Sequence, residues 1–287
     1  MSVNQRAYFG AVYGSLRRLA RIALLRPKRP QVPILSRPLE QIVERHSWIC
    51  SIIRDWAPNP ENWRGRPVCE VGAGDCLAAA SMMLGLGASH VTVIEHEPPV
   101  TGPKQAAALK EMRHLGFPCD PSILETNNGL NKNKCTYIQS YMENSEGRAV
   151  HTLVYSICVG EHVEDLPAFF ATCLDSLVPG GETFHYIDLG GHGIFEDPVP
   201  PLDFHRYGDL AYAAVYPPYH RATRRFVSDY IKAAELAGFQ EVRVEATRRA
   251  DQNYLKSLRP HLKSRARRIP DEELSVVEFV LSAKKPD

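Results

Sequence analysis

The sequence lacks an apolar run of about 18 residues, which is the length that a membrane-spanning helix needs. It also lacks a CxxC pair, and its seven cysteines are an odd number, so the spacing does not predict a disulfide framework. No secretory leader with a cleavage site is recognisable. We therefore expect a cytoplasmic protein whose thiols are reduced and mostly buried.

An excess of one charge is also missing, because the net charge at pH 7 is only +1. This balance predicts neither a surface that wraps nucleic acid nor an acidic tail. The chain has 287 residues, of which 44% are hydrophobic and 23% charged, and no internal repeat is visible. These values predict one ordinary globular domain with additions.

Acidic residues are absent from residues 1–39, although this segment contains eight Lys and Arg residues. Within it, residues 13–25 place apolar side chains at helical spacing against arginines, which indicates a basic amphipathic helix. We interpret residues 1–62 as an N-terminal helical arm and cap that docks on the protein's own core. The alternatives are contact with a membrane surface or another anionic partner, and a targeting peptide.

Helical and strand-like patterns alternate along the rest of the chain. A helix is predicted for residues 39–56, and short apolar runs separated by helical patterns follow. This alternation predicts an α/β fold with a doubly wound, mostly parallel sheet covered by helices on both faces. The predicted strands are residues 68–71, 91–94, 136–139, 152–157, 183–187, 241–245 and 276–282. The predicted helices after residue 56 are 77–86, 104–115, 166–177 and 222–237.

A glycine-rich turn follows the first predicted strand. The segment Val68 to Leu77 reads VCEVGAGDCL, with a GxG turn at Gly72 and Gly74. It resembles the first motif of the class I, Rossmann-like S-adenosylmethionine-dependent methyltransferases. Glycine matters there because a side chain would occupy the path of the cofactor's amino-acid part. The resemblance implies that Glu70 organises this loop, and that residues 63–287 form the methyltransferase domain of a seven-stranded Rossmann-like fold.

An acidic residue also ends the second predicted strand. Glu95 stands 21 residues after Gly74, where such folds place the carboxylate that accepts both ribose hydroxyls. The same spacing suits a dinucleotide-binding oxidoreductase. However, Leu77 occupies the position where the dinucleotide fingerprint needs Gly or Ala. We therefore favour S-adenosylmethionine over a nicotinamide cofactor.

Two later segments resemble motifs of the same family. Residues 137–143 match the segment that cradles adenine, and residues 154–166 match the motif of the fourth strand. In the first of these, Tyr141 stands where family members commonly have Asp, so we expect its ring to stack on adenine while Met142 offers its backbone amide. The resemblance implies these cofactor-binding residues: Glu70, Gly72, Ala73, Gly74, Asp75, Glu95, Tyr141, Met142 and Ser156.

Histidines follow the fourth and fifth predicted strands, at the sheet edge where ligands of this fold bind. A hydroxyl acceptor has to lose a proton, which suits a histidine, so His162 and His192 are the catalytic candidates. Loop braces are the alternative for both. Glu161 beside His162 also suggests a divalent ion, but two adjacent residues do not make a site, and no metal is predicted.

The acceptor is expected to be a small molecule, with oxygen as the methylated atom. Residues 190–220 and 250–271 are predicted inserts on the substrate side. The first is aromatic and proline-rich, as expected of a lid over a small molecule, and the alternative is that its aromatic side chains are ordinary core. Residues 185–192 resemble bacterial methyltransferases associated with surface glycans. Methylation of RNA or protein and a non-catalytic protein that binds the cofactor are the alternatives. No nucleic-acid partner is expected, and the oligomeric state is not predicted.

Overall fold

The structure is a computed structural model that describes residues 37–99, 101–127, 129–191, 201–215 and 222–287. The predicted basic helix at residues 13–25 and the candidate His192 lie outside the described residues. The contact of the N-terminal arm with an anionic surface therefore stays a prediction. None of the described helices is both long and apolar enough to cross a bilayer.

Seven strands form one sheet in the order β3-β2-β1-β4-β5-β7-β6. The first five strands pair in parallel, whereas β7 is antiparallel to both β5 and β6. The predicted α/β, doubly wound and mostly parallel architecture is confirmed. The strands are β1 (Pro67–Val71), β2 (His90–Glu95), β3 (Cys135–Gln139), β4 (His151–Ile157), β5 (Leu177–Asp188), β6 (Gln240–Arg249) and β7 (Val276–Lys284).

Helices cover both faces of the sheet. One apolar core contains side chains from the first three helices together with β1, β2 and β4, and a second core joins the fourth and sixth helices to the opposite face. The described residues form eight α-helices: α1 (Leu39–Trp56), α2 (Ala78–Gly85), α3 (Pro103–His114), α4 (Leu166–Ser176), α5 (Asp209–Val215), α6 (Val227–Ala237), α7 (Gln252–Leu258) and α8 (Asp271–Leu274).

Helix α1 has the bounds that its sequence pattern predicts. Its apolar stripe places Ile42, Ile49 and Ile53 in the same core as β1 and α2, where each is at most 9% exposed. The helix ends before Ala57, whose extended backbone is what a residue that precedes proline prefers. Helix α1 thus packs beside α2 and α3 on the face that adjoins the glycine-rich turn.

Helix α6 begins at Val227 and not at Ala222 as predicted. Arg224 has a φ of 45°, in the left-handed region that a helix interior excludes. The helix starts three residues later because the Asp229 carboxylate accepts the Phe226 N–H at 2.9 Å. Residues 222–226 are therefore an irregular connection at the carboxyl edge of the sheet.

The two predicted inserts meet in a third apolar cluster beside the start of β7. Phe204 and Tyr212 from the first insert are buried there with Leu255 and Leu258 from the second. The described aromatic side chains of the first insert thus serve largely as core. Their packing holds both inserts at the carboxyl end of β5, next to the candidate site.

Candidate functional site

The carboxyl ends of β1, β2 and β4 lie side by side. Val71 is paired with Ile94 of β2 and with Ser156 of β4, so the three following loops emerge at one edge. Ligands of doubly wound sheets bind at such an edge. Gly72 and His162, which the sequence predicts as site residues, lie in two of these loops. Glu95, a third predicted site residue, is the last residue of β2.

The glycine turn packs directly on the loop after β4. Gly72 has a φ of +81°, and a Cβ at this position would lie 2.3 Å from Cγ2 of Val159. Only glycine meets both conditions. Gly74 also has a left-handed φ of +65°, but a Cβ there would meet nothing within 4 Å. A ligand therefore has open space above Gly74, whereas the protein itself packs against the backbone at Gly72.

Glu95 fastens the glycine turn to β2. Its Oε2 accepts the Gly74 N–H at 2.9 Å, and its Oε1 accepts the Glu97 N–H at 3.1 Å. Nδ1 of His96 lies 2.6 Å from the same Oε1. A carboxylate offers about four lone-pair positions, so three are engaged. To accept both hydroxyls of a ribose, Glu95 would have to release His96, whose side chain is 47% exposed.

His96 is a site residue that the sequence analysis missed. Its ring stacks on Tyr141, with centroids 4.9 Å apart and planes inclined by 11°. Tyr141 itself is 51% exposed, while Met142 beside it is buried. Two stacked, accessible rings next to Glu95 suit a flat heterocycle. The sequence did contain a signal for His96, because it is an aromatic residue directly after Glu95, the carboxylate that ends the second strand.

Glu70 is buried beneath the glycine turn and is only 4% exposed. Burial raises its pKa from an ordinary value of about 4.5 to about 8. Its Oε2 has no hydrogen-bond partner among the described residues. At neutral pH this side chain is therefore mostly a neutral acid within the core. Its role in organising the loop stays a prediction.

Asp75 faces the first helix. Its Oδ1 accepts from Nε2 of His46 at 2.8 Å, and its Oδ2 accepts from Nη1 of Arg37 at 2.8 Å. The side chains of Asp75 and His46 are each only 2% exposed. Neither His46 nor Arg37 belonged to the predicted site, because nothing in the local pattern of α1 points to a loop 29 residues further on.

Ser156 and Ala73 are buried. The Ser156 hydroxyl donates to Nδ1 of His185 at 2.8 Å, and Nε2 of that histidine donates to Thr183 at 2.6 Å. Burial lowers the pKa of His185 to about 3, so its ring is neutral. This chain of hydrogen bonds joins β4 to β5 below the site.

His162 lies in the single helical turn that follows β4, and its side chain is 41% exposed. Its Nε2 is 3.9 Å from Oε1 of Glu161. The guanidinium of Arg225 donates to the carbonyls of Val163 and Glu164, which fixes the next residues of the loop. The structure thus places an accessible imidazole on the loop that also contacts Gly72 through Val159.

A narrow crevice borders this loop. It is lined by residues from the loop after β4, the end of β5, the connection before α6 and α6 itself: Glu161, Leu189, Ala222, Thr223, Arg224, Arg225 and Tyr230. Thr223 donates its N–H to the Glu161 carbonyl at 2.8 Å and so closes one side. Within the part of the chain that the structure describes, no three His, Cys, Asp or Glu side chains are grouped as metal ligands.

Comparison with solved structures identifies the fold. Phosphoethanolamine N-methyltransferase 2 of Haemonchus contortus, in complex with S-adenosyl-L-methionine, superposes with a TM-score of 0.51 at 15% identity. The match covers 90% of this chain and 59% of that chain. An S-adenosylmethionine-dependent methyltransferase of Mesorhizobium loti gives a TM-score of 0.48 at 19% identity, covering 86% of this chain and 100% of that chain. No protein-family model and no curated protein sequence matches.

The chain has the Rossmann-like methyltransferase fold. Within this fold, the glycine turn and Glu95 occupy the ends of β1 and β2 that the family resemblance implied. Leu77, which argued against a dinucleotide, is 2% exposed at the start of α2. The narrower resemblance to methyltransferases associated with surface glycans stays a prediction.

The buried Glu70 should make stability depend on pH. Between about pH 4.5 and 8 the folded chain holds a proton on Glu70 that the unfolded chain has released, so stability should fall as the pH rises through this window. Glu70→Gln keeps the shape without the titration. Between pH 5 and pH 8, the free energy of unfolding of Glu70→Gln, measured with urea, should therefore rise by at least about 1 kcal/mol relative to that of the unmodified protein.

Glu44→Gln is the matched control, because Glu44 is an exposed carboxylate on α1. It should follow the pH dependence of the unmodified protein. If Glu70→Gln and Glu44→Gln show the same pH dependence, Glu70 does not retain a proton in the folded state.

Proposed function

We propose that the chain is a methyltransferase that uses S-adenosylmethionine as its methyl donor. The observation that carries the proposal is the 2.9 Å hydrogen bond from the Gly74 N–H to Glu95, which joins the glycine turn to the carboxylate of β2 at the ligand-binding edge of the sheet. The Haemonchus contortus protein, whose structure contains S-adenosyl-L-methionine, supports the same cofactor here.

The residues at this edge fit an adenosylated amino acid. The space above Gly74 is open, Glu95 can accept from ribose hydroxyls once His96 moves, and the His96 and Tyr141 rings can stack on adenine. A dinucleotide fits less well, because the buried Leu77 stands where its pyrophosphate would need a small residue. We therefore retain Gly72, Ala73, Gly74, Glu95, Tyr141 and Met142 as cofactor-binding residues and add His96. The buried Glu70, Asp75 and Ser156 support the site from within the protein.

Bound S-adenosylmethionine supplies a methyl group on a positively charged sulfur, which is already activated for transfer. The protein then has to hold the acceptor in line with that methyl group, and positioning of this kind supplies most of the rate. We assign this role to the loop after β4, which carries His162 and packs on the glycine turn through Val159. His162 would take the proton from a hydroxyl acceptor.

The proposed acceptor is a small molecule that is methylated on oxygen. The two inserts, packed together beside this edge of the sheet, favour a small ligand over a macromolecule. Nitrogen is the alternative acceptor atom, because the Haemonchus contortus neighbour is named as an N-methyltransferase. Methylation of RNA or protein, and cofactor binding without catalysis, are the further alternatives. A panel of phenolic, sugar, amine and lipid acceptors, read by mass spectrometry for addition of a methyl group, distinguishes them.

Substitution of the cofactor residues should weaken the binding of S-adenosylhomocysteine, measured by calorimetry. Glu95→Ala removes hydrogen bonds worth about 1.5 to 3 kcal/mol, so affinity should fall by about 10-fold to 150-fold. Gly74→Val should lower affinity at least as much, because its side chain enters open space that only the ligand would fill. NADH should not compete.

Gly65→Val is the control for backbone strain. Gly65 also has a left-handed φ, of +72°, and a Cβ there would also meet nothing within 4 Å, but it precedes β1 at the opposite edge of the sheet. It should bind the ligand normally. If Gly65→Val and Gly74→Val lose the same affinity for S-adenosylhomocysteine, the ligand does not bind over the turn at Gly74.

His162→Ala should lower turnover of an acceptor found in the panel by roughly 100-fold or more, if proton removal limits the rate. Affinity for S-adenosylhomocysteine should change little, and the acidic limb of the pH profile should disappear. His114→Ala serves as control, because His114 is an exposed histidine at the distal end of α3. Normal turnover by a fully folded His162→Ala protein would exclude the catalytic role and direct attention to His192.

A further inference from the structure

The start of the first helix reaches the glycine turn from outside the sheet. Arg37, two residues before α1, donates from Nη1 to Asp75 at 2.8 Å, and His46 within α1 donates to the other oxygen of the same carboxylate. Lys104 at the start of α3 donates to the Arg37 carbonyl. Two contacts therefore hold Arg37 in place, and one of them is with Asp75, the residue after Gly74.

The charges in this group pair the Arg37 guanidinium with an ionised Asp75 beside the turn. Burial works against ionisation of Asp75, but the hydrogen bond from His46 and the charge of Arg37 lower the pKa of Asp75 to about 2. Burial lowers the pKa of His46, which favours a neutral ring. Asp75 is thus an anion held by one neutral and one charged donor, and neither of its oxygens needs a further cation.

Arg37 keeps donors that this contact does not use. Its hydrogen bond to Asp75 involves Nη1, and the guanidinium carries five N–H donors in all. Its side chain is 45% exposed, whereas that of Asp75 is 2% exposed. Arg37 can therefore reach a ligand above the turn without losing Asp75. The turn from Gly72 to Cys76 contains no Lys or Arg of its own.

We infer that Arg37 binds the carboxylate at the amino-acid end of the cofactor, and that His46 and Asp75 are positioning residues that hold it there. The inference rests on the proposed function, which places that amino-acid end over the glycine turn. A guanidinium is the side chain that matches a carboxylate with two parallel hydrogen bonds. The N-terminal helix would then be part of the cofactor site and not only a cover for the core.

Two ligands that differ only in the amino-acid end test this inference. S-adenosylhomocysteine carries the carboxylate, while 5′-methylthioadenosine keeps the adenine, ribose and sulfur but lacks the whole amino-acid group. In calorimetry, Arg37→Gln should weaken S-adenosylhomocysteine binding at least tenfold and leave 5′-methylthioadenosine binding within about twofold. The affinity of Arg37→Lys for S-adenosylhomocysteine should lie between those of Arg37→Gln and the unmodified protein, because lysine keeps the charge but not the two parallel hydrogen bonds.

Arg54→Gln is the matched control, since Arg54 is an exposed arginine of α1 whose partner is Asp55. Arg54→Gln should bind both S-adenosylhomocysteine and 5′-methylthioadenosine as the unmodified protein does. Equal weakening of both ligands by Arg37→Gln, no weakening of S-adenosylhomocysteine, or no advantage of Lys over Gln would overturn the role of Arg37 while leaving the cofactor assignment standing. Failure of the unmodified protein to bind either ligand would overturn the proposed function, and this inference with it.

Discussion

The close contact between the glycine turn and the loop after β4 is the constraint around which the candidate site is arranged. With Val159 pressed against the Gly72 backbone, neither loop can move without the other. The hydrogen bond from Gly74 to Glu95 adds the loop after β2 to the same unit. These three loops carry the residues proposed to bind the methyl donor and the methyl acceptor. They are thus fixed by one turn that tolerates no side chain at Gly72.

Buried polar groups hold this arrangement from two directions. Beneath the turn, Glu70 is most stable as a neutral acid, because burial disfavours its charged form. Beside the turn, Asp75 stays charged because it has two donors from the N-terminal segment. Two carboxylates only five positions apart in the sequence therefore have opposite protonation states. Arg37 and His46 stabilise the charge of Asp75, whereas burial outweighs the hydrogen bonds of Glu70.

The sequence predicted the sheet because hydrophobic periodicity and short connections follow directly from how strands and helices bury their faces. It predicted α1 to the residue, since its apolar stripe is bounded by prolines. It misplaced the start of α6, because the left-handed turn at Arg224 depends on packing and not on local propensity. The contacts of His46 and Arg37 with Asp75 were not predictable, because they join segments with no shared local pattern.

The central claim is that this edge of the sheet binds the adenosyl cofactor, and a crystal structure of the protein with S-adenosylhomocysteine tests it most directly. We expect the ribose hydroxyls within hydrogen-bond distance of the Glu95 carboxylate, the adenine against Tyr141, and the amino-acid end over Gly72 and Gly74. Ligand bound away from this turn, or a crystal saturated with S-adenosylhomocysteine that shows none there, would contradict it.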